Sequence, residues 1–431
     1  MLIRLNLQNA VLRHGLLVLS LLIFAALVNV IMREFAAGTL ADKRVGVNKN
    51  ILTSAAGYFP ASGRLFGRLA EFEKSESKGD LESAEGHLEE AIRLSPNNYR
   101  YRLLLAEVRD LRGDRAGTEE SFKNALRLAP NYSEVHWKFA NFLVRENRVE
   151  DSVAHFRLAG VANPNIFGAA LDLVAGVSDG NIFLLNEIVK DDPRGQLKLA
   201  LLLANRTRIP EASGVFSKID KNLALAARET PAFFDSLIGK GFSGLAFQHW
   251  LELKSGAGND AHRLLIWNGD FETETDANLV QFDWQIGKSV YARIGYDSSD
   301  ARSGKRSLLV DFIGRDTVKL DNEVKHLVAL RPETNYCLEF YVKTEDFKAD
   351  EGPRIVVSDP AGNRVARSEP VRAGTNDWTR MAVSFTAPQT LAGDSVALFI
   401  SLKRQPRYSY DQPARGRIRF DDFVISEVRG K

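Results

Sequence analysis

Apolar and polar positions follow three successive patterns along the chain. Residues 15–32, GLLVLSLLIFAALVNVIM, are apolar except at Ser20 and Asn29. At about 1.5 Å per residue this run spans about 27 Å, close to the hydrocarbon thickness of a bilayer, and predicts a transmembrane helix. From residue 61 to 254 apolar positions recur at helical spacing. Beyond residue 263 they alternate in short runs, at 307–313, 336–342, 354–357, 381–385 and 396–402. Ser303-Gly304-Lys305, Asp359-Pro360-Ala361-Gly362 and Ala373-Gly374-Thr375-Asn376 supply turns. Such runs predict an antiparallel β-sandwich.

The expected organisation is a membrane anchor at 1–35, a linker at 36–60, helical repeats at 61–254, a small polar linker at 255–262 and the sandwich at 263–428. The apolar segment has two readings, an uncleaved anchor or a signal peptide cut near Ala36-Ala37-Gly38. The length of the run and the charges Arg33 and Glu34 before that site favour the anchor. Arg4, Arg13 and a short tail before the run favour a cytoplasmic N-terminus, although Arg33, Lys43, Arg44 and Lys49 add positive charge on the other side.

Self-comparison of the helical region gives a 34-residue period. Pro96, Pro130 and Pro164 obey it, as do Ala91, Ala125 and Ala159, and Leu88, Phe122 and Phe156. Gly79-Asp80, Gly113-Asp114 and Asn147-Arg148 stand at the turn inside each unit, and Ala106 and Ala140 where two helices must approach closely. The pattern resembles the tetratricopeptide repeat (TPR), a helix–turn–helix unit. Phe72 stands where a small residue is usual. After Pro164 two degenerate units follow, one around Leu185, Ile188 and Pro193 with a shortened first helix, the next around Ala212, Phe216 and Ile219. Trp250 and Leu251 are expected to cap the array. The resemblance implies an α-solenoid whose first helices line a groove for a protein partner, with Arg100, Glu107, Trp137, Asn141 and Arg145 as candidates; ordinary packing and a solvated charged face account for the same residues. His87, His136 and His155 lack the i, i+4 spacing of a metal pair.

The sandwich has an ordered set of motifs: Asn268-Gly269-Asp270-Phe271-Glu272, Trp284, 303–308, 330–336, Trp378-Thr379 and Ile418-Arg419-Phe420-Asp421-Asp422-Phe423. The set resembles carbohydrate-binding modules of the family 4/9/22 type, which have a jelly-roll fold. That resemblance implies possible glycan binding through exposed rings, with Trp284, Tyr291, Tyr296, Tyr408 and Tyr410 as candidates alongside Arg407. It also implies a structural calcium at Glu272 and Asp421, for which turn caps and strand-end hydrogen bonds are the alternative. Ile418 and Phe420 share a strand face whereas Phe423 and Ile425 fall on the opposite parity, so a bulge is expected at Asp421-Asp422. The basic stretch 403–419 suits an acidic polysaccharide or an anionic headgroup surface, or the charged protection of an edge strand.

Composition adds exclusions. Lys+Arg 57 against Asp+Glu 55 gives a net charge of +2, unlike a generic nucleic-acid binder. The single cysteine, Cys337, excludes an intramolecular disulfide and a Cys-based zinc site. The chain has no GxSxG, P-loop or HExxH motif and no GxGxxG in a strand–helix setting. The expectation is a non-catalytic adaptor, anchored through residues 15–32 in a bacterial inner membrane, with its body in the periplasm. Its repeats would hold a protein and its sandwich a polysaccharide, in exopolysaccharide assembly or export; no cofactor beyond the possible calcium is required. The alternatives are a structural protein–protein scaffold without sugar affinity and a body tethered on the cytoplasmic side.

Overall fold

The computed structural model describes residues 10–42, 46, 48–75, 80–254, 265–314, 319–390, 393–408 and 410–428. Two compact units divide the chain, Met1–Lys190 and Asp191–Lys431. The stretch 255–262, together with Arg4, Lys43, Arg44 and Gly79, lies outside the described residues.

The first unit opens with α1 (Ala10–Leu40), the one described helix long and apolar enough to cross a membrane; a membrane anchor and a signal sequence both meet that description. Its last turns pack against the repeats. Ala37 is buried in one cluster with Leu52 of α2 (Lys49–Tyr58) and with Leu65 and Leu69 of α3 (Gly63–Ser75). Arg33 Nη2 donates to the Tyr58 carbonyl at 2.9 Å. Three regular helix pairs begin with α3 and α4 (Leu81–Leu94), then α5 (Tyr99–Arg112) and α6 (Arg115–Leu128), then α7 (Ser133–Arg145) and α8 (Val149–Ala162). Side-chain caps start the helices: Asp80, Asn98 and Asp114 accept from the amides of Ser83, Arg100 and Gly117. Ala91, Ala125 and Ala159 are fully buried, and their carbonyls accept the amides that end α4, α6 and α8.

Two sequence expectations are corrected in this unit. The second helices start 34 residues apart, but α3 and α5 start 36 apart, so the first unit carries two extra residues between its helices. Ala70, fully buried beside Leu88 and Leu105, therefore takes the small position, and Phe72 lies outside it, half-buried. The degenerate fourth pair, α9 (Ile166–Val177) and α10 (Ile182–Val189), is shortened in its second helix rather than its first.

The second unit contains α11 (Pro193–Asn205), α12 (Ile209–Phe216), α13 (Lys221–Ala226), α14 (Glu229–Gly239) and α15 (Ser243–Lys254), followed by the sandwich. By sequence these helices belong with the repeats; by packing they go with the sandwich. The strands are β1 (Gln285–Ile286), β2 (Ala292–Asp297), β3 (Ser307–Ile313), β4 (Val324–Leu330), β5 (Asn335–Lys348), β6 (Arg354–Ser358), β7 (Arg364–Arg367), β8 (Gly374–Thr386), β9 (Val396–Lys403) and β10 (Arg415–Glu427). They form two antiparallel sheets, ordered β1-β4-β9-β6-β7 and β2-β3-β10-β5-β8. Alternate residues of each, such as Leu398 and Ile400 of β9 and Phe340 of β5, meet in the core. The register of β10 against β5 shifts between Asp421 and Val424, and Asp422 has φ 52°, so the expected bulge is present. Beside it Gly269 lies so close to the Phe423 carbonyl that a Cβ would stand 2.1 Å from its oxygen.

Helix α15 packs on β4 and β9 of the first sheet. Leu327 and Ala329 point away from the core on β4, yet both are buried. Trp250, fully buried, lies edge-on to Trp267 at 5.5 Å and donates its indole N–H to the Leu279 carbonyl at 3.2 Å. Ser243 and Ser395 share a hydroxyl hydrogen bond of 2.8 Å, and Lys254 pairs with Asp276 at 2.9 Å. Replacing Trp250 with Ala removes the largest side chain of this contact and is expected to cost about 3–5 kcal/mol. Denaturant unfolding of the full chain checks this; an unchanged midpoint would show that α15 adds nothing to the second unit.

Candidate functional site

The groove candidates of the first unit sit on the first helices of successive pairs. The Glu107 carboxylate of α5 accepts from both Lys74 of α3 and Lys138 of α7, and Lys138 also pairs with Glu134 at 3.0 Å. Burial works to raise the Glu107 pKa, but the two ammonium groups outweigh it and hold the carboxyl below its ordinary value. Arg145 pairs with Asp110. Trp137 packs edge-on against Phe156 at 5.4 Å, and Asn141 donates to the Trp137 carbonyl. Arg100 and Glu107 line one cavity of about 570 Å³, whereas Trp137, Asn141 and Arg145 do not line it. His136 and His155 are brought together despite their sequence separation. Their Nδ1 atoms are 2.9 Å apart, with His136 Nε2 donating to the Pro130 carbonyl. Burial, with the His136 ring adding to it, lowers His155 to about 4. Among the described residues no three His, Cys, Asp or Glu side chains group as metal ligands.

In the second unit the aromatic candidates separate. Trp284 is 1% exposed, packed against Phe271, His326 and Phe423, and donates its indole N–H to the Asn268 carbonyl at 2.9 Å. It is a core residue and has no face for a sugar, which corrects the sequence expectation. Tyr291 and Tyr296 pack against the same core; Tyr296 OH lies 2.8 Å from Thr275 Oγ1 and the Arg306 guanidinium stands over its ring. Tyr408 and Tyr410 are 56% and 78% exposed, stacked on each other at 5.0 Å with planes 3° apart. Buried Asp411 fixes this loop by accepting from the amides of Arg407 and Tyr408.

The basic stretch 403–419 also divides. Arg417 and Arg419, on β10, pair with Glu345, and Arg419 with Asp297 as well. Lys403, Arg404 and Arg407 instead join Arg354, Arg364 and Arg367 around a cleft of about 430 Å³, with Asp321 and Glu351 as its carboxylates. The arginines of β6 and β7 were not singled out by sequence; their signal was the alternation of Arg354, Val356 and Ser358 ahead of the turn that leads to Arg364. Glu351 holds Arg354 at 2.7 Å and also Arg407, and Lys403 pairs with Asp321 at 3.1 Å.

Glu272 and Asp421 both face the loop 302–306. Glu272 Oε1 accepts the amides of Lys305 and Arg306 at 2.6 and 2.7 Å. Asp421 accepts those of Arg302 and Ser303 on one oxygen and that of Asp422 on the other. Amide hydrogens thus point at three of the four carboxylate oxygens that calcium would need. In this arrangement the pair does not fit a calcium site.

A Ser–His–carboxylate chain exists at Ser213, His249 and Glu252, with Ser213 Oγ 2.8 Å from Nε2 and Glu252 3.3 Å from Nδ1. Acyl transfer needs preorganised hydrogen-bond donors, commonly backbone amides beside the serine, aimed at the oxyanion. Ser213 lies inside α12, whose amides past the first turn serve the helix's own hydrogen bonds.

No protein-family model matches the chain, and no curated protein matches it. Among solved structures it is similar to MamA at 12% identity, covering 35% of this chain and 86% of that one, with a TM-score of 0.30. A CBM4 structure matches at 16% identity over 38% of this chain and 99% of that one, with a TM-score of 0.28. A cyclase from Fischerella sp. TAU matches at 14% identity over 39% and 98%, with a TM-score of 0.29. These scores are too low to assign a family, and the functional reading rests on the chain's own geometry.

Two buried titratable groups of the second unit have opposing effects on its pH dependence, and His155 of the first unit acts in the same sense as His326. His326 is fully buried; burial lowers it to about 4, even though its Nε2–H donates to the Trp267 carbonyl. Its unfolded form takes a proton near pH 6.5 while the folded form refuses one, so its contribution is present above that value and lost as pH falls toward 4. Burial pushes Asp421 up to about 6 against its amide hydrogen bonds. That raised carboxyl works in the opposite sense, favouring the folded state as pH falls through 6. His326→Phe should therefore reduce the loss of stability of the second unit between pH 6.5 and 4, read from its melting temperature, while leaving the His155 contribution of the first unit in place; an unchanged profile for the second unit would place its acid sensitivity elsewhere.

Proposed function

We propose that the chain is a non-catalytic adaptor, held in a membrane by α1, whose helix pairs bind a protein partner and whose sandwich binds a glycan. The observation that carries the glycan part is the exposed, mutually stacked pair Tyr408 and Tyr410, which follows in sequence directly after Arg407, a residue lining an open cleft. Parallel exposed rings offer an apolar platform to a sugar face, with polar side chains beside it for hydroxyls. The packing of Ala37 favours a retained anchor over a cleaved signal, because cutting at 36–38 removes a residue buried in the first core cluster. The body is read as periplasmic, facing the envelope, with exopolysaccharide assembly or export as its setting. The Lys74–Glu107–Lys138 ladder already satisfies much of the groove's charge, which favours the solvated, self-paired reading of Glu107 over a direct charge contact to a partner.

Affinity electrophoresis of the detergent-solubilised full chain against a panel of neutral and acidic polysaccharides tests the reading. Retardation on at least one glycan, reduced several-fold by Tyr408→Ala with Tyr410→Ala, is expected. Migration unaffected by every glycan would leave only the scaffold. A C-terminal reporter that is active only after export is expected to be active; an inactive one would place the body on the cytoplasmic side.

A further inference from the structure

We propose that the open half of the outward sheet face is a cleft for an acidic saccharide, with Arg364 and Arg367 as its carboxylate-binding residues. This assignment depends on the glycan reading above and adds to it the charge class of the sugar and the location of the site.

Strand register places the cations. Arg354 is opposite Lys403, Val356 opposite Arg367 and Ser358 opposite Arg364, while Ile355 and Val357 between them enter the core. Arg354, Arg364, Arg367 and Lys403 therefore share the face that looks away from the core, above the uncharged Val356 and Ser358. Arg404 and Arg407 reach the same cleft from the segment after β9, making six cationic side chains against two carboxylates. The two carboxylates are engaged by Arg354, Arg407 and Lys403. Arg364 and Arg367 have no ion-pair partner among the described residues.

Charge on an edge strand protects it from pairing, and β7 is an edge strand. That explanation does not reach Arg354 on β6 or Lys403 on β9, which lie inside the sheet. Concentrating like charges in a recess raises their mutual repulsion and focuses the field on one spot, an arrangement that favours an anion. The planar guanidinium matches a carboxylate with two parallel hydrogen bonds. A cleft of about 430 Å³ falls in the range of small-ligand sites. A recess suits a saccharide chain better than a flat lipid surface, and the exposed stacked tyrosines follow Arg407 in the chain.

The test titrates the full chain, in nanodiscs of zwitterionic lipid, with oligogalacturonate and alginate oligomers as uronate probes. Methyl-esterified oligogalacturonate, neutral cello-oligosaccharides and glycerol phosphate serve as comparisons. The expected result is binding of a uronate probe, weakened by added salt and at least tenfold weaker for the ester. Arg364→Ala with Arg367→Ala should lose at least tenfold in uronate affinity with an unchanged melting temperature, and the corresponding lysine variants should keep part of it. Equal affinity for acid and ester, or full affinity in the alanine variant, overturns the cleft. So does glycerol phosphate competing as strongly as the uronates, which would indicate a headgroup site. Binding of cello-oligosaccharides alone overturns the acidic class and leaves the glycan reading standing. Binding of no saccharide removes both.

Discussion

The second unit depends on the cover over one outward sheet face. An antiparallel sheet can leave one face to water if that face is polar, but Leu327 and Ala329 point outward on β4 and are buried. Helix α15 supplies the cover, with Trp250 against Trp267 and Phe282 and Ser243 against Ser395. A single helix does not span five strands spaced about 4.8 Å apart. It covers β4 and the start of β9, and the remainder of the face, on β6, β7 and the end of β9, carries arginine, lysine and serine around Val356. One packing contact thus decides both where the unit is apolar and where it is open.

Burial of small residues orders the first unit in a similar way. Alanines at the helix crossings let the pairs approach, and Leu88, Phe122 and Phe156 fill the spaces between them. Helix α1 takes part in this packing through Ala37, beside Leu52 and Leu65. The chain from the apolar run into the first pair is therefore structured: α2 occupies the stretch that by composition alone resembled a linker, started by Asn48, whose side chain accepts from the Ile51 amide.

Much of the fold was legible because it rests on short-range rules. Each of the five alternating runs falls within or matches a strand, the bulge at Asp421-Asp422 follows from side-chain parity, and the second helices keep their 34-residue spacing. The site was less legible, for reasons of facing. Trp284 precedes β1 in an irregular segment where no alternation tells inside from outside, so an apparently available ring proved to be core. Phe72 was misaligned because extra residues between α3 and α4 do not disturb the period of the second helices. The basic run 403–419 looked continuous, yet it crosses from one sheet to the other, and only its first part meets the arginines of β6 and β7. His136 and His155 converge across two helices, which no spacing within one helix reveals.

Glu272 and Asp421 show the same limit in chemical terms. Two carboxylates at the ends of neighbouring segments are what a cation requires and equally what a loop with several unpaired amides requires. The choice depends on backbone direction. Gly304, with φ +62°, turns the 302–306 loop, whose amides at 302, 303, 305 and 306 point at the two side chains. A buried carboxylate is costly without partners, and here backbone dipoles supply them. The loop and the bulge consequently fix each other: Asp421 is aimed by the bulge, and the loop it anchors also supplies Arg302 and Ser303 to the neighbouring Asp422.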